Sequence, residues 1–209
     1  MERNRRKAGE YHLRRTAILE QAGNVFGARG FHGTTMAAIA GESGFAVGTL
    51  YRYFDSKEKL YTEMVTGKLE MMYAGIRDSV AAETAFSEKL RALVDAHFNF
   101  VERNMPFLRL FLRGEHLSLD KVGTTLHDWM VDHSLLHVSF IEALMQEGIG
   151  SGILRREMPP RVMAFALLGM INSHSFSRLL SETEGRKFDS DVSLMLDIFL
   201  QGVGNASVH

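Results

Sequence analysis

The chain has no cysteine. That excludes disulfides, Cys-ligated zinc and thiol catalysis, and it fits a reducing compartment. Long hydrophobic runs are missing as well. The longest, residues 162–171 (VMAFALLGMI), is half of what a membrane span needs. The basic start runs into an amphipathic pattern without an apolar signal core, so the expectation is a cytoplasmic protein with no membrane partner. No GxSxG elbow, P-loop or dinucleotide glycine fingerprint is present, so no enzyme activity, catalytic residue or cofactor is expected. Internal repeats and low-complexity segments are absent too. Net charge is -1, which taken alone argues against a nucleic-acid partner.

What is there points the other way. The 209 residues suffice for one large or two small domains, and 45% hydrophobic with 23% charged residues allows a buried core. Charge is unevenly spread. Residues 1–57 hold nine Lys/Arg against five Asp/Glu, and residues 58–209 hold fifteen against twenty. The first part is therefore +4 and the rest -5, an asymmetry expected when one end meets a polyanion.

Residues 1–10 (MERNRRKAGE) read as a basic N-terminal arm, either a solvated tail or a segment that touches DNA. From 11 to 29 the pattern is helical, with Ile18, Ala22, Val25 and Phe26 on one face. Gly30 is placed to end this helix and Phe31 to pack back. Residues 34–60 (TTMAAIAGESGFAVGTLYRYFDSKEKL) read as two short helices around a glycine turn, followed by a capped third. That is the pattern of a DNA-binding helix-turn-helix. Thr34 or Thr35 caps the first of these helices. Met36, Ile39 and Ala40 line its inside, and Gly44 makes the turn. Gly41 inside that helix costs roughly 1 kcal/mol against Ala, which close packing would explain. Leu50 and Phe54 face inward on the next helix. Val47, Thr49, Tyr51, Arg52 and Tyr53 are left on its other faces. Asp55 with Glu58 matches a capping box. Lys57 opposes the helix dipole there, so a phosphate contact is the expected compensation.

AGNVFGARGFHGTT, IAGESG, GTLYRYF and SKEKL, spread over about residues 12–65, resemble the N-terminal domain of the TetR family of bacterial transcription regulators. The resemblance implies DNA-contacting roles for Thr35, Val47, Gly48, Thr49, Tyr51, Tyr53 and Lys57, beside the exposed Arg52. Thr35, Tyr51, Tyr53 and Lys57 match phosphate contacts, and residues 47–49 fall where the family meets base edges. Gly48 also has a physical reason, since it lets the backbone approach DNA closely. Two residues depart from the family pattern. Ala46 replaces a usual Ser or Thr cap, and Val47 stands where a polar or basic residue is common.

The remainder is helical at about 57–81, 86–103, 105–118, 121–148, 159–182 and 189–203, with loops at 148–152 and 181–190. The fold expected is all-α with about nine helices. It comprises a helix-turn-helix DNA-binding domain at 11–57 and a helical effector-binding and dimerisation domain at 58–209. The latter is rich in Met and Phe, which fill ordinary cores and also line adaptable pockets. By family resemblance it holds an effector, with Phe98, Met105, Phe107, Phe111, Trp129, His133, His137 and Phe176 as candidate lining residues. His133 and His137 lie one turn apart, with His127 and Asp128 before them. HDWMVDHSLLH lacks the HExxH glutamate, so no metal is assigned.

In residues 160–203, Val162, Phe165, Ala166, Gly169, Met170 and Ser173 are expected at a homodimer contact. An apolar face of Val192, Leu194, Met195, Ile198, Phe199 and Val203 joins them. The expected function is that of a homodimeric repressor, released from a palindromic operator by a small, mainly apolar effector. An effector-independent architectural or cell-cycle DNA-binding protein is the alternative.

Overall fold

A computed structural model describes residues 2–112, 120–180 and 189–204. Among them are nine helices and no strand. These are α1 (Glu2–Arg29), α2 (Met36–Ser43), α3 (Val47–Tyr53), α4 (Lys57–Ala81), α5 (Phe86–Arg103), α6 (Met105–Leu112), α7 (Asp120–Gly150), α8 (Pro160–Leu180) and α9 (Asp189–Val203). No helix of the described residues is long and apolar enough to cross a membrane. The chain divides into two compact units: Met1–Leu69 with Asn104–Met130, and Glu70–Arg103 with Val131–His209. The unit that holds the helix-turn-helix is thus larger than residues 11–57.

In the first unit α1 packs on α2 and α6, and α2 on α3. The core is the one that the periodicity marks. Ile18, Ala22, Val25 and Phe26 of α1 are buried with Phe31, Met36, Ile39, Ala40, Leu50 and Phe54. Phe26, Phe31 and Tyr61 form an aromatic cluster with ring centroids 5.0–6.0 Å apart. Gly27 lets α6 approach α1, because a Cβ there would stand 2.7 Å from Pro106. Gly30 ends α1 at φ 72, in the left-handed region that glycine enters without steric cost.

α1 begins at Glu2, so residues 2–10, read from sequence as an arm, continue the helix. No proline or β-branched residue interrupts this segment, and Glu, Arg, Lys and Ala are all good helix formers. The helix predicted over 105–118 is described only to Leu112; residues 113–119 lie outside the described residues.

In the second unit α5 packs on α8 and α9, and α8 on α9. Leu90, Leu93, Val94, Phe98 and Val101 of α5 are buried, as are Ile141, Met145, Met163, Leu167, Met195 and Phe199 of the other helices. Gly148, read from sequence as loop, is inside α7. A Cβ there would come within 2.5–2.7 Å of Phe86 and Leu154, so this glycine serves packing and the turn falls later, at Gly152 (φ 78). Arg155 closes the end of α9: its guanidinium donates to the carbonyls of Gln201, Gly202 and Gly204. Helix C-termini leave such carbonyls free, and a cation there also suits the dipole. Of the loop expected at 181–190, residues 181–188 lie outside the described residues, and Asp189 and Ser190 already belong to α9.

Candidate nucleic-acid interface and effector residues

Thr35 caps α2: its Oγ accepts a hydrogen bond from the Ala38 N–H at 3.1 Å. Thr34 is buried and instead donates to the Gly30 carbonyl at 2.7 Å. α2 ends at Gly44, φ 70, and the Phe45 N–H returns to the Ala40 carbonyl at 3.0 Å. This reversal delivers α3. Ala46 occupies its N-cap without a side-chain bond, as expected of a methyl group. Gly41 is exposed, and nothing lies within 4 Å of a Cβ built there. Close packing therefore does not account for it.

On α3 only Leu50 is buried, with Phe54 just beyond. Val47, Gly48, Tyr51 and Arg52 are exposed together on the opposite side, the spacing i, i+1, i+4, i+5 of one helical face. Tyr51 is 51% exposed, high for a tyrosine. Gly48 has no neighbour within 4 Å of a built Cβ, so the backbone there is open to whatever docks. Thr49 and Tyr53 are half-buried. The Tyr53 ring leans on Tyr11 of α1, centroids 4.7 Å apart, which fixes the end of α3 against α1.

α4 is capped by Ser56, whose Oγ accepts from the Lys59 N–H at 3.1 Å. The helix starts at Lys57, so Glu58 falls one position short of the place that a capping box needs. Lys57 is held inside the unit. Its Nζ donates to the carbonyls of Phe31 (2.9 Å) and Thr34 (3.0 Å) and lies 4.2 Å from the centre of the Phe31 ring. These contacts offset its unfavourable place in the helix dipole. Arg15 lies over the Phe54 ring at 5.0 Å and pairs with Glu63.

The candidate effector residues fall in both units. Met105, Phe107 and Trp129 belong to the first unit, and Phe98, His133, His137 and Phe176 to the second. The side chain of Phe111 lies outside the described residues. Phe107 and Phe98 are core residues; the Phe98 ring sits 5.1 Å from His174. Phe176 is 46% exposed on the outer side of α8. It shares that side with Val162, Phe165, Ala166, Gly169 and Ser173, at helical spacing.

His137 is buried and meets a partner that the sequence did not suggest. Its Nε2 lies 3.0 Å from Nε2 of buried His97, forty positions earlier on α5. His97 Nδ1 lies 2.7 Å from the Leu93 carbonyl. The Tyr73 ring of α4 stands 4.7 Å from His137. Burial, which penalises the charged ring, lowers His97 to about 4 against the bond to Leu93. His137 falls to about 3 through burial and, secondarily, the charges of His97 and Arg77. Both rings are neutral at pH 7. Among the described residues no group of three metal-ligating side chains forms.

With this geometry in hand, comparison with known proteins is specific. The model of the bacterial regulatory proteins of the tetR family matches residues 18–64. The tetracyclin repressor-like C-terminal domain matches residues 83–176. The HTH-type transcriptional activator FasR of Mycolicibacterium smegmatis is 31% identical over 110 residues, 53% of this chain and 50% of that protein. The HTH-type transcriptional repressor KstR2 of Mycobacterium tuberculosis is 36% identical over 99 residues, 47% of this chain and 50% of that one. The chain thus spans about half the length of these curated relatives. The fold extends further. The regulator FadR from Bacillus subtilis, solved in complex with stearoyl-CoA, superposes with a TM-score of 0.73 at 19% identity, covering 90% of this chain and 98% of that one. A short helix behind a glycine turn and two matching family domains lead to one assignment: the chain belongs to the tetR family of bacterial regulatory proteins.

Proposed function

We propose that this protein is a homodimeric DNA-binding transcriptional repressor of the cytoplasm, released from a palindromic operator by a small, mainly apolar effector. The observation that carries the reading is the outward face of α3. Val47, Gly48, Tyr51 and Arg52 are exposed while Leu50 and Phe54 are buried behind them. A helix held from behind with a bare glycine and a tyrosine–arginine pair in front suits the major groove. Tyr51 and Arg52 would hold phosphates, and Val47 and Gly48 would lie against base edges, Val47 offering apolar contact to a thymine methyl. Thr35, Thr49 and Tyr53 support the docking. Lys57 contributes by fixing the corner between α1 and α2, with any phosphate contact secondary to that.

Dimerisation through α8 and α9 is supported by their outer faces. Phe165 is 51% and Leu194 61% exposed, with Val162, Phe176 and Ile198 also uncovered. An isologous pairing would cover these side chains and present two copies of α3 to a palindrome. The residues expected on one apolar face of α9 divide instead. Val192, Met195, Phe199 and Val203 face their own chain, and Leu194 and Ile198 face out. Met170 of α8 is half-buried. The effector class rests on the apolar make-up of the second unit and on stearoyl-CoA in the FadR complex. An effector bound about 100-fold better by the released conformation shifts the equilibrium by roughly 2.7 kcal/mol.

The test is selection of binding sites from random duplex DNA, followed by titration of the enriched sequence. The expected product is a palindrome with half-sites spaced by about one helical turn, with binding that weakens steeply as salt rises. Tyr51→Ala should weaken operator and random DNA about equally. Enrichment of no sequence, with salt-insensitive binding, would sink the proposal.

A further inference from the structure

The His97–His137 pair dictates its own protonation. The Leu93 carbonyl can only accept, so His97 Nδ1 carries the hydrogen. A neutral imidazole has one N–H, which leaves His97 Nε2 as an acceptor. The 3.0 Å contact then requires His137 Nε2 to donate. His137 Nδ1 is left with a lone pair, and that atom is buried without a hydrogen-bond partner. His137 as a whole is 5% exposed, enclosed by side chains that include Tyr73 and Phe140. An unmet buried acceptor is costly, and a leucine or phenylalanine here would avoid the cost. His97 provides no such escape, because it locks His137 in the tautomer that leaves Nδ1 bare.

We infer that His137 Nδ1 is the polar contact of the effector site. It accepts a hydrogen bond from a neutral donor, a hydroxyl or an amide N–H, on an otherwise apolar molecule. This rests on the effector reading given above and deepens it. A carboxylate or ether oxygen brought to Nδ1 sets lone pair against lone pair, so the site selects donors over acceptors of the same size. A metal ion is a poorer occupant, since no third ligating side chain joins the pair among the described residues. His97 is a positioning residue: it acts through the tautomer of His137.

The test compares two isomers, 1-decanol and methyl nonyl ether, by calorimetry on the full chain, with decanoate as a third probe. The wild type should prefer the alcohol over the ether by about tenfold, with decanoate weakest. His137→Phe should bind alcohol and ether alike. His97→Gln, whose amide oxygen can still accept from His137 Nε2, should keep the preference, whereas His97→Phe should lose it. Nitrogen NMR of histidine-labelled protein gives a second reading: the His137 Nδ1 signal should move upfield on adding 1-decanol and stay put with the ether. Equal binding of both probes, or a His137 signal unmoved by the alcohol, overturns the inference and leaves the apolar-effector reading standing. Binding of none of the three probes overturns both.

Discussion

Acidification should unfold this protein through two side chains. His97 and His137 titrate at about 4 and about 3 in the folded chain, against 6.5 for an unperturbed histidine. Between pH 6.5 and 4 the unfolded chain takes up two protons that the folded chain refuses. Proton uptake then favours the unfolded chain, so stability falls as the pH falls, by about 1.4 kcal/mol per pH unit for each ring. From pH 7 to pH 5 the pair withdraws about 4 kcal/mol, a large share of the roughly 5–15 kcal/mol of a typical domain. The loss is complete once both rings protonate in the folded chain, below about pH 3. The assay is urea unfolding followed by circular dichroism at pH 7, 6 and 5. Protomer concentration is held fixed, because the stability of the proposed dimer would depend on it. A His97→Leu/His137→Leu variant is the comparison; the other histidines are common to both proteins and cancel. Wild type should lose about 4 kcal/mol more than the variant over this range. Equal losses would refute the reasoning, because they would mean that the pair is protonated, or wet, in the folded state.

Gly48→Ala should separate folding from docking. The added methyl meets nothing in the chain, so stability should hold or rise by up to about 1 kcal/mol, while fluorescence anisotropy shows operator affinity falling at least about tenfold as the backbone is held off the DNA. Lys57→Met keeps the aliphatic stem and removes two hydrogen bonds, and it should destabilise the protein by about 2 kcal/mol in urea. Unchanged stability with weakened operator binding would return Lys57 to a purely phosphate-contacting role. Phe165→Asp places a carboxylate on the outer face of α8, and sedimentation at micromolar concentration should find dimer for the wild type and monomer for the variant.

The helix-turn-helix was legible because its information is local. Ile18, Ala22, Val25 and Phe26 repeat at helical spacing, and Gly30 and Gly44 stand where the chain turns left-handed. Leu50 and Phe54 leave a single way for α3 to face. What sequence could not supply depends on distant segments meeting. The carbonyls of Phe31 and Thr34 become acceptors for Lys57 only after the corner between α1 and α2 has formed. His97 gains its meaning from His137 on another helix, a pairing that no periodicity encodes; two histidines at helical phase with buried neighbours were the one available signal. α9 is apolar around much of its circumference, so its pattern could not say that Val192 and Phe199 turn inward while Leu194 and Ile198 turn out. Phe176 poses the same difficulty: an aromatic on an apolar helix looks alike whether it faces a cavity, a core or a second copy.

The bonds of Lys57 have a mechanical consequence. One ammonium ties the first turn of α4 to carbonyls on both sides of the corner that introduces α2, and α2 carries α3 through the Gly44 turn. Bending at that corner would strand a charge that has exchanged water for two carbonyls and an aromatic face. The corner therefore has little freedom to act as a hinge. A displacement of the first turn of α4 would carry α2 with it and, through the Gly44 turn, α3.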